Sequence, residues 1–438
     1  MSRKWIIASA LIVALVVLCG ASLYAVWQGV RTLETNGIDI SIQNNSIKAE
    51  GVEEKTLTVS GPISLTLNND FGDVSVTGGA DGQVKIIAEK TAWGSNEAEA
   101  HKELEELKVL VEQNGNNIDI SLQHPDQMHV LNLRPDIWSV KFTISVPKET
   151  AATLDSRNGD IVLSGTAGNA DLRTDFGSIQ VSNVSGAVTV DTNNGNVTAT
   201  DITSEADVSL TSDFGNLTVH GISAANVSAG STNGTLDLQD ILASKAMKAG
   251  SDFGGISLSN SKVPALEIRT TNGKVALENV DVEGQVTIHS DFGDVSLEAV
   301  DASAYDLRTQ NGKILVDQAR DSITAQSDFG DVEVLNVDNG TIKLSSTNGA
   351  VTFSGSLGAG PHSLSSDFGN ITLALPAATA LNVDLQTDFG KISSDFEITV
   401  SGALENNHWV GKFNGGGEEL MVETKNGNIT MIVHQDSP

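Results

Sequence analysis

The 438-residue chain sets 26 Lys and Arg against 56 Asp and Glu, a formal charge of −30. Such a field repels nucleic acid and anionic membrane surfaces, so a nucleic-acid partner is not expected. With one cysteine, Cys19, no intramolecular disulfide can form, and 42 glycines with only 4% aromatic residues suit thin, sheet-rich structure better than a globular enzyme.

The first element in chain order is the uncharged run from Trp5 to Trp27, preceded by Arg3 and Lys4. At about 1.5 Å rise per residue it can cross roughly 30 Å of hydrocarbon. The basic residues before it favour a cytoplasmic N-terminus, with everything after residue 28 outside the cytoplasm. This reading predicts a single-pass protein of the cell membrane. A cleaved signal peptide ending at Ala21 or Ala25 is the competing reading, and a lipoprotein signal at Cys19 is disfavoured by Leu18.

Residues 28–56 are polar and weakly patterned and read as a stalk or linker. Alternation begins at Leu57, with Val59, Ile63, Leu65 and Leu67 keeping a period of two around Gly61-Pro62. The Ala, Glu, Lys and Leu run over 94–115 predicts one soluble helix, capped by Ser95 or Asn96, with Leu104, Leu107 and Leu110 at helical spacing. Strands follow at 116–123 and 138–147. Residues 57–157 form an N-terminal cap in this reading, residues 158–433 a repeat array with its C-terminal cap, and residues 434–438 a tail.

From Asn158 onward, glycines recur at Gly159, Gly177, Gly195, Gly215, Gly234, Gly254, Gly273, Gly293, Gly312, Gly330, Gly349, Gly369 and Gly390. Near-constant spacing of this kind marks a solenoid. In Leu266–Gly284, Leu266, Ile268, Val275 and Leu277 alternate with charged neighbours, so the aliphatic set lines an interior. The glycine is preceded alternately by Asn and by Phe. A coil of about 19 residues stacks Phe corners on Asn corners along one edge. A 38-residue coil would put like on like. The shorter coil is preferred, because the larger perimeter encloses more space than these aliphatics fill. The fold class is therefore all-β: a β-solenoid of about 19-residue coils with an N-terminal transmembrane helix and one short α-helix in the cap.

Asp-Phe-Gly occurs eight times, beginning at Asp70, Asp175, Asp213, Asp252, Asp291, Asp328, Asp367 and Asp388. A kinase uses this tripeptide once, beside a Gly-rich loop, a strand lysine and an H-R-D loop, none of which accompanies it here. The repeats read as corners: Gly for positive φ, Asp for bonds to nearby amides, and Phe to cover the corner of the core. The strict alternation breaks at Asp388-Phe389-Gly390, which follows another Phe-Gly corner directly.

The repeated "SDFGDVSL" and "TNGKVAL" corners, the "KFTISVP" strand at 141–147 and the closing "NGGGEELMVETKNGNITM" at 414–431 resemble the bacterial putative-adhesin family of β-strand-repeat domains of unknown function. The resemblance spans roughly residues 57–433. It implies an extracytoplasmic β-solenoid, often attached to a membrane, with adhesion proposed as its role, and it brings no catalytic residue.

No catalytic, cofactor-binding or metal-binding residue is assigned, and no cofactor is expected. The eight histidines lack metal-ligand spacing and read as solvated. Asp291 with Asp294, and Asp328 with Asp331, place paired carboxylates at a turn, as calcium requires. Ser178, Asn216, Gly255, Asn370 and Lys391 occupy the second position elsewhere, which argues for turn capping. The leading expectation is a non-enzymatic, membrane-tethered scaffold binding a cell-surface or envelope component, glycan or protein. The alternatives are a polysaccharide-active enzyme on a β-helix scaffold and an envelope-stress accessory acting through a membrane partner.

Overall fold

The computed structural model describes residues 47–80, 82–124, 138–400 and 405–434. The predicted membrane segment Trp5–Trp27 lies outside these residues. Among the described residues no helix is long and apolar enough to cross a membrane.

The array is a parallel β-solenoid whose coil is one repeat. Phe176 pairs in register with Asn158 of the preceding coil and with Asn194 of the next, so Phe and Asn corners alternate as the 19-residue reading predicts. Each coil has three faces. In one coil, Leu266, Ile268 and Thr270 point inward, then Val275 and Leu277, then Val280 and Val282. The interior is one continuous cluster of small aliphatic side chains running from the N-terminal cap to Met431. A narrow coil needs no large aromatic groups to fill it, which is why so Phe-poor a sequence still forms a core.

Three corners join the faces, and each turns the chain differently. At the first, the corner glycines stack directly on one another. A Cβ on Gly273 would lie 1.9 Å from the Gly254 carbonyl oxygen, and the neighbouring coils repeat the arrangement. This corrects the expectation of positive φ. In the array the first-corner glycines lie outside the positive-φ region, and glycine is required there by the close approach of successive backbones. Positive φ belongs instead to the second corner, six residues on, where Asn183, Asp201, Asp240, Asn260 and Asn279 hold values between 49° and 54°. Asn and Asp tolerate this left-handed conformation, and their side chains bridge coils, as where Asn279 Nδ2 donates to Asn260 Oδ1 at 2.9 Å. The third corner is irregular, with register shifts at Ala224/Asn226, Val282/Gln285 and Arg320/Ser322.

Both ends depart from chain order. At the N-terminal end, strand Ile63–Phe71 pairs in parallel with Thr150–Asn158, and everything between forms the cap. There Gln83–Gly94 runs antiparallel to both Ile47–Thr58 and Trp138–Val146. Residues 47–56, read as linker, are therefore mostly strand. The helix is shorter than predicted, Glu97–Glu106, with Asn96 Oδ1 accepting from the Glu99 amide at 3.0 Å. Leu110 lies beyond it, in the strand Lys108–Asn114 that turns back through Gly115 onto Asn117–Gln123. Local alternation in that hairpin overrides the helical spacing of the leucines. Lys90, largely buried in the cap, is paired with Glu53 and donates to the Leu107 carbonyl at 2.9 Å.

At the C-terminal end, Glu418–Thr424 inserts between His362–Ser366 and Leu381–Thr387, pairing in parallel with both. The last coil is closed by the antiparallel strand His408–Phe413, and Phe396 stacks on Phe413 at 5.3 Å. These antiparallel pieces and the helix cover ends that would otherwise offer open edges to other chains.

Candidate functional site

The corner phenylalanines do not cover the core. Phe176, Phe214, Phe253, Phe292, Phe329 and Phe368 are 57% to 64% exposed, and Phe389 is 82% exposed. The reason lies one residue earlier. Three residues before most corner glycines of the array, a buried Ser or Thr donates to the corner glycine carbonyl one coil below: Ser212 to Gly195 at 2.9 Å, Ser231 to Gly215 at 2.9 Å, Ser327 to Gly312 at 2.9 Å. Hydroxyl and stacked glycine together fill the inside of the corner. No room is left for a ring, so Asp and Phe both turn outward.

The result is a column of exposed rings along one edge, with Asn between successive rings. Two coils separate neighbouring rings, about 9.6 Å at ~4.8 Å per coil. The column is continuous where the chain order is not. Phe71 and Phe176 are separated by Asn158, which arrives after the cap excursion. At the other end the inserted strand brings Lys425-Asn426-Gly427 between the corners of Phe368 and Phe389. Asn426 donates to the Asp367 carbonyl at 2.9 Å and Phe389 to the Lys425 carbonyl at 2.9 Å. The alternation that breaks in sequence is whole in space. Phe71 alone is half-buried, meeting Trp138 edge-on at 5.5 Å.

Beside the rings runs a column of carboxylates. Asp70 lies 3.8 Å from Arg157 and Asp367 lies 2.8 Å from Lys425, whereas Asp213 and Asp252 have no side-chain partner among the described residues. The Asp residues that follow the corner glycine play another part. Asp294 accepts from the Lys313 amide and Asp331 from the Ala350 amide, both at 2.8 Å, one coil onward. Asn216 and Asn370 accept in the same way in their coils. Two of the four carboxylates considered for calcium thus satisfy backbone amides. Among the described residues no group of three or more metal-ligating side chains converges.

One histidine departs from the solvated reading. His362 is buried, Nδ1 facing the Ile342 amide at 3.4 Å and Nε2 facing the Gly358 carbonyl at 3.1 Å. Burial pushes its pKa down, against smaller upward effects of the Gly358 bond and Glu418. Tyr305 occupies the equivalent inward position in an earlier coil, where burial pushes its hydroxyl up to about 12. It donates to Val300 at 2.6 Å and accepts from Ala302 at 3.0 Å.

Sequence reasoning missed the exposed ring column and the hydroxyl ladder. The signal for the second was present, since Ser or Thr stands three residues before the corner glycine in coil after coil.

Solved structures that match the chain include a putative adhesin from Bacteroides fragilis NCTC 9343, at 13% identity and a TM-score of 0.31, covering 63% of this chain and 97% of that one. A putative cell adhesion protein from Clostridium sporogenes ATCC 15579 is 12% identical with a TM-score of 0.15, covering 87% and 99%. A structure named as a putative lipid binding protein, from Parabacteroides distasonis ATCC 8503, is 11% identical with a TM-score of 0.20, covering 74% and 93%. No curated protein matches the chain. The Toastrack DUF4097 family model matches residues 65–241, 226–354 and 326–431, which together take in nearly the whole described array, and the chain belongs to that family.

Proposed function

We propose that the chain is a non-enzymatic binding scaffold, held to the cell membrane through Trp5–Trp27 and standing outside the cytoplasm, that grips an envelope or cell-surface component along its Phe–Asn edge. The observation that carries this reading is the continuity of the exposed rings across both strand-order breaks. Rings more than half exposed contribute little to folding, so a column kept regular through two topological detours is best explained by what it meets in solvent. The acidic column and the charge of −30 disfavour a polyanionic partner. The resemblance to adhesin-like proteins agrees with this reading.

The test replaces Phe214, Phe253, Phe292 and Phe329 together by Ser and measures binding of the purified array to isolated envelopes and intact cells. Thermal stability is expected to stay near wild type while binding falls by about tenfold or more. Undiminished binding by a folded variant overturns the role of the edge. For orientation, external protease should remove a C-terminal tag from intact cells, and a tag protected until lysis overturns the topology.

A further inference from the structure

The ring edge is a ladder with a fixed order of rungs. Its corner glycines pack directly on one another, from Gly72 through Gly159 and Gly177 up to Gly369, Gly427 and Gly390. Asp-Phe rungs alternate with rungs in which Asn is preceded by a neutral or basic residue: Arg157 at the N-terminal end, Lys425 at the C-terminal end, and Asn, Thr or Gln between. Seven of the rings, from Phe176 to Phe389, are 57% to 82% exposed. On side chains of about 200 Å² each they present roughly 800–900 Å² of apolar surface, close to what one partner contributes to a standard protein interface. An exposed apolar column of that size marks an interaction site.

The spacing of the ladder fits a second copy of itself. Two rods can meet along this edge with a two-fold axis running either along them or across them. An axis along the rods keeps every rung at its own height, so ring meets ring, and it exchanges the two flanks of the ladder. Asp291 would then face Asp294 of the other copy, and Asp328 would face Asp331. An axis across the rods reverses their direction and keeps the flanks. A ring can then fall on the Asn rung between two rings of the other copy, as side chains interdigitate in a zipper.

A single antiparallel register seats all seven exposed rings on Asn rungs. Its axis passes between Asn272 and Phe292, so that Phe389 meets Asn158 and Phe176 meets Asn426. The charges on the flanks play no part in choosing this register, and they agree with it. Before the rings, Asp175 faces Lys425 and Asp388 faces Arg157, while Asp252 faces Gln310 and Asp291 faces Thr271. After the glycines, Asp294 faces Lys274 and Lys391 faces Asp160. No facing rungs set like charges together on either flank, which is the complementarity that fixes register between partners. The charge of −30 repels a second copy at long range. At about 0.15 M salt that field is screened beyond about 8 Å, and the facing pairs decide contact. We infer that the component gripped by this edge is a second copy of the same chain, paired antiparallel through its phenylalanines, an inference that rests on the scaffold reading above. With each chain anchored at its N-terminal end, antiparallel copies stand on opposing surfaces, and the pairing joins like cells.

The experiment purifies the full-length chain carrying Cys19→Ser in detergent and follows its association by sedimentation. Dimers are expected, and replacing Phe214, Phe253, Phe292 and Phe329 together by Ser should weaken them about tenfold or more. Lys425→Asp should weaken them too, and adding Asp175→Lys should restore them, a rescue that a merely structural role for either residue would not give. For register, oxidation should link chains carrying Asn193→Cys to chains carrying Asp367→Cys. These positions face each other across the pair yet lie about nine coils, ~43 Å, apart within one chain, so neither variant alone should cross-link. A chain that stays monomeric, dimers indifferent to the phenylalanines, or Asn193→Cys linking to itself overturns the inference. A monomeric chain that still binds envelopes from cells lacking it, through the phenylalanines, leaves the scaffold reading standing with another occupant. Envelope binding indifferent to the phenylalanines overturns that reading as well.

Discussion

The first and second corners of each coil are fixed in length, and the third is not. From corner glycine to second corner is six residues in coil after coil, as from Gly177 to Asn183, Gly273 to Asn279 and Gly330 to Asn336. The whole variation in repeat length falls between the second corner and the next inward strand, where most of the register shifts also lie, although one, at Val334/Val337, falls at a second corner. The difference teaches which contacts set the coil. Glycine on glycine and a left-handed Asn or Asp allow no slack, because a one-residue slip would turn every following side chain to the wrong face. The third corner absorbs extra residues as bulges, since its backbone groups can find partners in the next coil with the register displaced.

The largest expected effect follows directly. One residue inserted between Ala276 and Leu277 turns Leu277 outward and displaces the left-handed site from Asn279. Stability should fall by about 4–5 kcal/mol or more, and limited proteolysis should cut at that coil. The same insertion between Glu283 and Gly284, within a third corner that already carries a bulge, should lower stability by about 1 kcal/mol or less. Equal losses in thermal and denaturant unfolding would erase the distinction between the corners.

Gly273→Ala tests the first corner by itself. Its methyl would meet the Gly254 carbonyl at 1.9 Å, so two backbones must separate, at a cost of about 3 kcal/mol. Asn279→Ala tests the second: with φ at 54° and a bond to Asn260 lost, about 1–2 kcal/mol is expected, with Asn279→Gly recovering most of it. If Gly273→Ala were the milder change, the stacking account of the first corner would fail.

These corners also show why part of the fold was legible and part was not. The period, the inward aliphatics and the 19-residue coil follow from alternation and glycine spacing, which are local. The reason for the glycines was not local. Gly273 meets Gly254, and sequence spacing shows that they are one coil apart without showing that their backbones touch. The same limit hid the outward turn of Phe253, whose corner is filled from inside by the Ser251 hydroxyl, 2.9 Å from the Gly234 carbonyl of the coil below. It also hid the mended alternation at Asn426, which depends on a strand inserted out of chain order. The helix at 97–106 was visible, but its end was not, because Leu107 and Leu110 suit helix and hairpin equally until the partner strand Asn117–Gln123 is in place.

The smallest effect distinguishes third corners from one another. His362 ties one of them down through Ile342 and Gly358, where most coils place an aliphatic residue at the same inward position. Its pKa lies below the ordinary value of 6.5 in the folded chain because burial disfavours the imidazolium. The unfolded chain therefore binds a proton first as pH falls through 6.5. Stability rises with pH between the lowered folded value and 6.5, is fully present above 6.5, and is lost as pH drops through that window. The slope cannot exceed one proton, about 1.4 kcal/mol per pH unit. His362→Leu, matching Leu420 in the adjoining coil, should flatten unfolding free energy across that window, at the cost of an unbonded Ile342 amide worth about 1 kcal/mol at all pH values. A variant that keeps the wild-type slope would assign the acid sensitivity to other groups and leave His362 a packing residue like the leucine beside it.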